Sequence, residues 1–145
     1  MLKKTITYED YNGNTRTEDF YFNLTQVEIA ELEYGLMPGK TITESFQTLI
    51  DSRDMKTIIA TIKEFLLKSY GIKSEDGKRF IKSQEIRDSF EQSPAFDQIY
   101  MSLASDADYA ADFMIAIIPK EMKNSLGDNP KQNLLNKMNE VTDSN

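Results

Sequence analysis

The chain has 145 residues, 39% hydrophobic and 10% aromatic, enough to bury a real core in one domain. It has no Cys and no His, which removes disulfides, thiol nucleophiles, imidazole bases and the usual zinc sites and weighs against an enzyme, although carboxylates alone can do acid and base work. A net charge of -7 repels phosphate backbones, so no nucleic-acid partner is expected, and no apolar run approaches the ~20 residues that span a membrane.

Met1-Leu2-Lys3-Lys4 leads into polar residues rather than a signal-peptide apolar region, so a soluble intracellular protein is expected. Leu2, Ile6 and Tyr8 then alternate with Lys3, Thr5 and Thr7, and a second run ends in Phe20-Tyr21-Phe22, so two strands are expected around Tyr11-Asn12-Gly13-Asn14. A two-residue Asn12-Gly13 turn would set even positions against odd ones and place Ile6 opposite Asp19. A three-residue loop with Gly13 in a left-handed bulge keeps even opposite even and sets Leu2 across from Phe22, so it is the loop expected. A lone hairpin is marginal in water, and Leu2, Ile6, Phe20 and Phe22 should therefore lie on a helix. Asp10, Asn12 and Asn14 begin like a calcium loop, but Gly13 falls at the fourth position and Tyr21 at the twelfth, which leaves turn chemistry.

Thr25-Gln26-Val27-Glu28 is a capping-box pattern opening a helix with Val27, Ile29 and Leu32 as core candidates, which ends near Gly35. Met37-Pro38-Gly39 breaks the chain, and Thr41 or Thr43 can cap a short helix carrying Phe46, Leu49 and Ile50. The strongest periodicity follows in residues 54–70. Met55, Ile58, Ile59, Ile62, Phe65, Leu66 and Tyr70 recur at steps of three and four, Leu67 and Ala60 widen the stripe, and Lys56, Thr57, Thr61, Lys63, Glu64 and Lys68 fill the other face. Asp54 can cap the start, and Gly71 can take the left-handed turn that stops the helix.

Residues 73–78 read as an exposed turn and Phe80-Ile81 as a short extended segment docked on the core. The basic side chains Lys68, Lys73, Lys78, Arg79 and Lys82 read as a solvated loop rather than a docking patch. Ser83 caps a helix with Ile86 and Phe90 inward, and Ser93-Pro94 restarts one with Phe96, Ile99, Tyr100 and Leu103. Asp106 opens the last strong helix, with Tyr109, Ala110, Phe113, Met114, Ile117 and Ile118 inward. Beyond Asp112 this helix is apolar nearly all round, so either it is deeply buried or part of it meets a partner or a second copy. After Lys123 the composition turns to Asn, Asp, Lys and Ser, a flexible tail in which Leu134, Leu135, Met138 and Val141 could form amphipathic turns on binding.

The architecture expected is α+β and mostly α-helical: an N-terminal β-hairpin on a bundle of five or six helices, with residues 1–122 as one domain (1–23 hairpin, 25–122 helical) and 123–145 as a tail. Asp112 with Glu121-Met122-Lys123 has the letters of a metal-dependent nuclease, but that site needs a strand and these residues lie on or after a helix. The six glycines are scattered singly at turns, so no phosphate-cradling loop is present and neither a cofactor nor a catalytic or metal site is expected.

The opening MLKKTITYEDYNGNTRTEDFYFNLTQVEIAELE resembles the start of the tail assembly chaperones of long-tailed phages and prophages of Gram-positive bacteria. The resemblance continues through IKEFLLKSYGIKSEDGKRFIKS and SFEQSPAFDQIYMSLASDADYAADFMIAIIP and fades in the tail. It implies a non-enzymatic, ATP-independent chaperone in the host cytoplasm, absent from the mature virion, which binds the helical tape measure protein, keeps it soluble and helps recruit tail tube subunits. An acidic inhibitor of a host factor and a minor structural tail component are the rival readings. The partner surface expected is drawn from Phe113, Met114, Ile115, Ile117 and Ile118, with Leu134, Leu135 and Met138 as a second patch, because these are the strongest apolar clusters outside the hairpin and central helix.

Overall fold

A computed structural model describes residues 1–36, 39, 44 and 54–119 of the protein. The alternating residues at the N-terminus form β1 (Leu2–Glu9) and β2 (Thr15–Phe22), paired antiparallel with Leu2 opposite Phe22 and Glu9 opposite Thr15. Gly13 closes the loop at a φ of 84°, where only glycine sits without a Cβ penalty. Asp10 stabilises the turn, because its Oδ1 accepts from the amides of Asn12 and Asn14 and its Oδ2 meets Arg16 Nε at 2.6 Å. The even face of the hairpin turns inward, with Phe20 and Phe22 buried and Leu2, Ile6 and Tyr8 packed against the core.

Helix α1 (Gln26–Leu36) opens with the capping box: Glu28 N–H donates to Thr25 Oγ1 at 3.1 Å, and Thr25 N–H donates to Glu28 Oε1 at 3.0 Å. Ile29 and Leu32 enter the core, but Val27 stands on the opposite side, 67% exposed. Helix α2 (Met55–Ser69) is capped by Asp54, whose side chain accepts from Thr57 N–H. Its inward stripe is confined to the second half, where Phe65, Leu66 and Leu67 are buried; Ile62 is half-buried, whereas Ile59 and Ala60 are exposed. Thr61, assigned to the outer face, is buried and satisfies its hydroxyl by donating to the Thr57 carbonyl. The side chains of Met55 and Ile58, the short helix carrying Phe46, Leu49 and Ile50, and the 122/123 boundary lie outside the described residues.

Gly71 does not stop α2 with a left-handed turn. The helix passes directly through extended Tyr70 into β3 (Tyr70–Lys73), which pairs with β2 on one side and with β4 (Phe80–Ile81) on the other. The hairpin is thus half of a four-stranded sheet ordered β1-β2-β3-β4. Gly71 serves close packing instead, because a Cβ there would stand 2.7 Å from Phe80 Cε2 and 3.0 Å from the Ile81 carbonyl.

Among the described residues three further helices follow in the α+β fold: α3 (Gln84–Glu91), α4 (Pro94–Ser105) and α5 (Ala107–Ile117). Ser83, Ser93 and Asp106 cap them with side-chain oxygens, and Pro94 occupies the first turn of α4, where its missing N–H costs nothing. Phe90, Phe96, Ile99, Leu103, Ala110 and Phe113 project onto the even face of the sheet and form one continuous core with it.

Replacing Gly71 with Ala should destabilise the protein by about 1–3 kcal/mol through overpacking, whereas Gly35→Ala, with open space around it, should be neutral or stabilising by up to ~1 kcal/mol. Equilibrium denaturation of both variants checks the pair.

The Asp54 carboxyl is held below its usual range, chiefly by the Thr57 hydroxyl and then the Thr57 amide, and that of Asp10 by Arg16 and then Asn14. A lowered folded pKa contributes stability above the ordinary carboxylate value, and this stability is lost as pH falls through the lowered one, so denaturation midpoints should drop below ~pH 4. Asp54→Asn keeps a capping oxygen but cannot titrate, so urea midpoints at neutral and acid pH should lie closer together in the variant than in the wild type.

Candidate partner-binding surface

The last helix spends its apolar side chains on the core. Phe113 and Ile117 are 2% and 1% exposed and Ile118 is buried; the Phe113 ring meets Phe22 edge-on at 5.1 Å, and the Ile117 carbonyl accepts from Leu24 N–H at 3.1 Å. Ala110 and Ala111 are also buried, so residues on several sides of α5 face protein. Of the contact residues expected there, Met114 and Ile115 remain half-buried, with Ile115 packed against the core. Leu134, Leu135 and Met138 lie outside the described residues, as does the Glu121-Met122-Lys123 part of the nuclease-like letters.

Exposed apolar surface is found instead on α1. Val27 and Tyr34, 67% and 78% exposed, stand two turns apart on one face, with exposed Ala30 and Glu31 between them. Ile29 and Leu32 occupy the opposite side, so α1 is apolar on both. One signal for this lay in the sequence: the 27-30-34 spacing is as helical as the 29-32 spacing, and a single helix cannot bury both stripes against one core. Val27, expected in the core together with Ile29 and Leu32, lies outside it.

Beside α1, the ends of α2 and β4 and the start of α3 enclose a cleft of about 250 Å³ lined by Glu28, Glu31, Tyr70, Lys82 and Arg87 among others. Lys82 Nζ lies 2.6 Å from Glu28 Oε2 and donates to the Asn23 carbonyl at 2.8 Å. Burial pushes the Lys82 ammonium down from its usual range, and Glu28 acts in the other direction. Arg87 pairs with Glu64 at 3.0 Å and Lys68 reaches the same carboxylate at 3.9 Å, so the cations of this cleft are matched by protein carboxylates. Of the other basic side chains nearby, Lys63 pairs with Glu91 and Lys73 lies over the Tyr21 ring. The cleft works as a joint: Glu28 caps α1 with one oxygen and anchors β4 through Lys82 with the other.

Among the described residues no cluster of three or more acidic side chains could hold a metal ion, and no helix is long and apolar enough to cross a membrane. What the surface offers is an apolar helix face with a carboxylate on it, an arrangement suited to holding another apolar surface. The family model of the phage tail assembly chaperones matches residues 1–145, and the chain belongs to that family. No curated protein and no solved structure matches it.

Val27→Ser and Tyr34→Ser should each leave stability within ~0.5 kcal/mol of wild type, while Phe113→Ala should cost about 3–5 kcal/mol. Urea unfolding of the three variants separates surface from core.

Proposed function

We propose that this chaperone binds the tape measure protein, keeps its apolar helical stripes from aggregating, and helps recruit tail tube subunits around it. The observation that carries this reading is the second apolar stripe of α1, Val27-Ala30-Tyr34, displayed on an acidic body in a family that assembles phage tails. An amphipathic helix exposes a stripe of the same width and period, so the two can pack side by side with their apolar faces together. The net charge of -7 keeps the loaded chaperone soluble. The protein acts by binding rather than by catalysis, in the host cytoplasm during assembly, and leaves before the virion is mature.

Co-expression with a tape measure fragment should keep the fragment soluble, in a complex that carries several copies of this protein, because one small domain covers only a short part of a long helix. Since the contact is chiefly apolar, raising salt should weaken it little. Val27→Ser with Tyr34→Ser should release the fragment while the thermal melt stays unchanged. A wild-type protein that neither binds nor solubilises the fragment, or that appears in mass spectra of purified virions, would sink the reading.

A further inference from the structure

Among the described residues no strand pairs with the outer side of the first strand of the sheet. The order β1-β2-β3-β4 of the described strands places β1 at an edge along all eight of its residues, without a proline to blunt it. Which backbone groups point outward follows from the hairpin. Asp10 N–H donates to the Asn14 carbonyl at 2.8 Å, so the 10–14 pair is hydrogen-bonded, and the alternation of an antiparallel ladder then turns the even residues of β1 toward β2 and the odd ones away. The amides and carbonyls of Lys3, Thr5, Thr7 and Glu9 therefore face outward. Among the described residues one side chain reaches this row: Gln98 Nε2, from the exposed face of α4, donates to the Thr7 carbonyl at 3.1 Å.

We propose that this edge pairs with the same edge of a second copy, antiparallel about a two-fold axis between the two Ile6 residues, to join the sheets of two molecules. The argument is self-complementarity. An axis at Ile6 sets Lys3 opposite Glu9, Thr5 opposite Thr7, Thr7 opposite Thr5 and Glu9 opposite Lys3, and all four residues of each strand are the ones whose polar backbone groups point outward. Lys3 and Glu9 are exposed and make no ion pair among the described residues, so both charges are free to meet the other copy. Sliding the strand by two residues in either direction loses the Lys3–Glu9 match, and sliding by one sets inward-facing groups against outward ones. Gln98 is displaced from the Thr7 carbonyl by the incoming strand. Met101, one turn further along the same face of α4 and 54% exposed, gains an apolar surface beside the new ladder. The pairing is independent of which tail protein the α1 face holds.

Light scattering on the full chain should show a dimer whose population rises with concentration. Lys3→Glu or Glu9→Lys, each placing like charges opposite one another twice, should weaken it roughly tenfold, and the double reversal should restore it. At the axis the two Ile6 residues form a non-hydrogen-bonded pair, whose Cα separation of roughly 4.5 Å suits a disulfide. In this cysteine-free chain, oxidised Ile6→Cys should therefore run as a covalent dimer and Tyr11→Cys, in the hairpin loop, as a monomer. A chain that stays monomeric at every concentration overturns the proposal, as does a dimer that neither charge reversal moves. A monomer whose β1 amides gain hydrogen-exchange protection only when a tail protein is added also overturns it, and assigns the edge to a strand of that partner.

Discussion

Phe22 is the contact through which the fold closes. Its ring lies 5.7 Å from Tyr70, 5.8 Å from Phe90 and 5.1 Å from Phe113, so one fully buried side chain joins β2 to β3, α3 and α5. Tyr70 stacks on Phe90 at 4.1 Å and Phe96 meets Phe90 edge-on, which extends the cluster to α4. These elements could not persist alone: β4 has two residues, β3 four and α3 eight, and isolated helices under about 12–15 residues are marginal in water. β3 and α3 are held by the rings they deliver to this cluster, Tyr70 and Phe90, and β4 by its pairing with β3.

The residues just after Phe22 bind the chain to itself in a second way. Asn23 N–H donates to the Ser69 carbonyl, Leu24 N–H to the Ile117 carbonyl, and Lys82 donates to the Asn23 carbonyl. The ends of α2, α5 and β4 therefore meet at one two-residue joint, and the polar groups buried there are satisfied. Ser69, wholly buried, closes the account by donating its hydroxyl to the Leu66 carbonyl. Glu28 braces the same joint from α1, which fixes the orientation of the helix that presents Val27 and Tyr34.

That orientation bears on the proposed function. A protein that is to hold apolar helices would have to expose apolar surface without dissolving its own core into it. Here the two needs fall on opposite sides of one short helix: Ile29 and Leu32 anchor it, while Val27 and Tyr34 remain outside. The most apolar of the described helices, α5, buries Ala110, Ala111, Phe113 and Ile117. Hydrophobicity along a chain measures how much surface wants cover, and which surface obtains cover depends on the elements around it.

Much of the local structure was legible in the residues. The three-residue loop at Gly13, the capping box at Thr25, the caps at Asp54, Ser83, Ser93 and Asp106, and the inward Phe90, Phe96, Ile99 and Leu103 all follow from short-range hydrogen bonding and from helix and strand periods. Family membership was legible as well, through the resemblance of three long segments. What neighbours decide was not legible. Gly71 reads as a helix stop, yet its role comes from Phe80, nine residues away in sequence and across a strand pair. Ile59 and Val27 are apolar like the buried Leu66 and Ile29 on the same helices, yet they stay exposed among the described residues. Phe113 and Ile117 look like a sticky face until Phe22 and Leu24 cover them. Sequence by itself determined the caps, the hairpin loop and the helix and strand periods, because those rest on residues a few positions apart; tertiary structure alone decided that residues 70–73 form a strand and which apolar sides stay uncovered among the described residues, because that depends on which sides have already met.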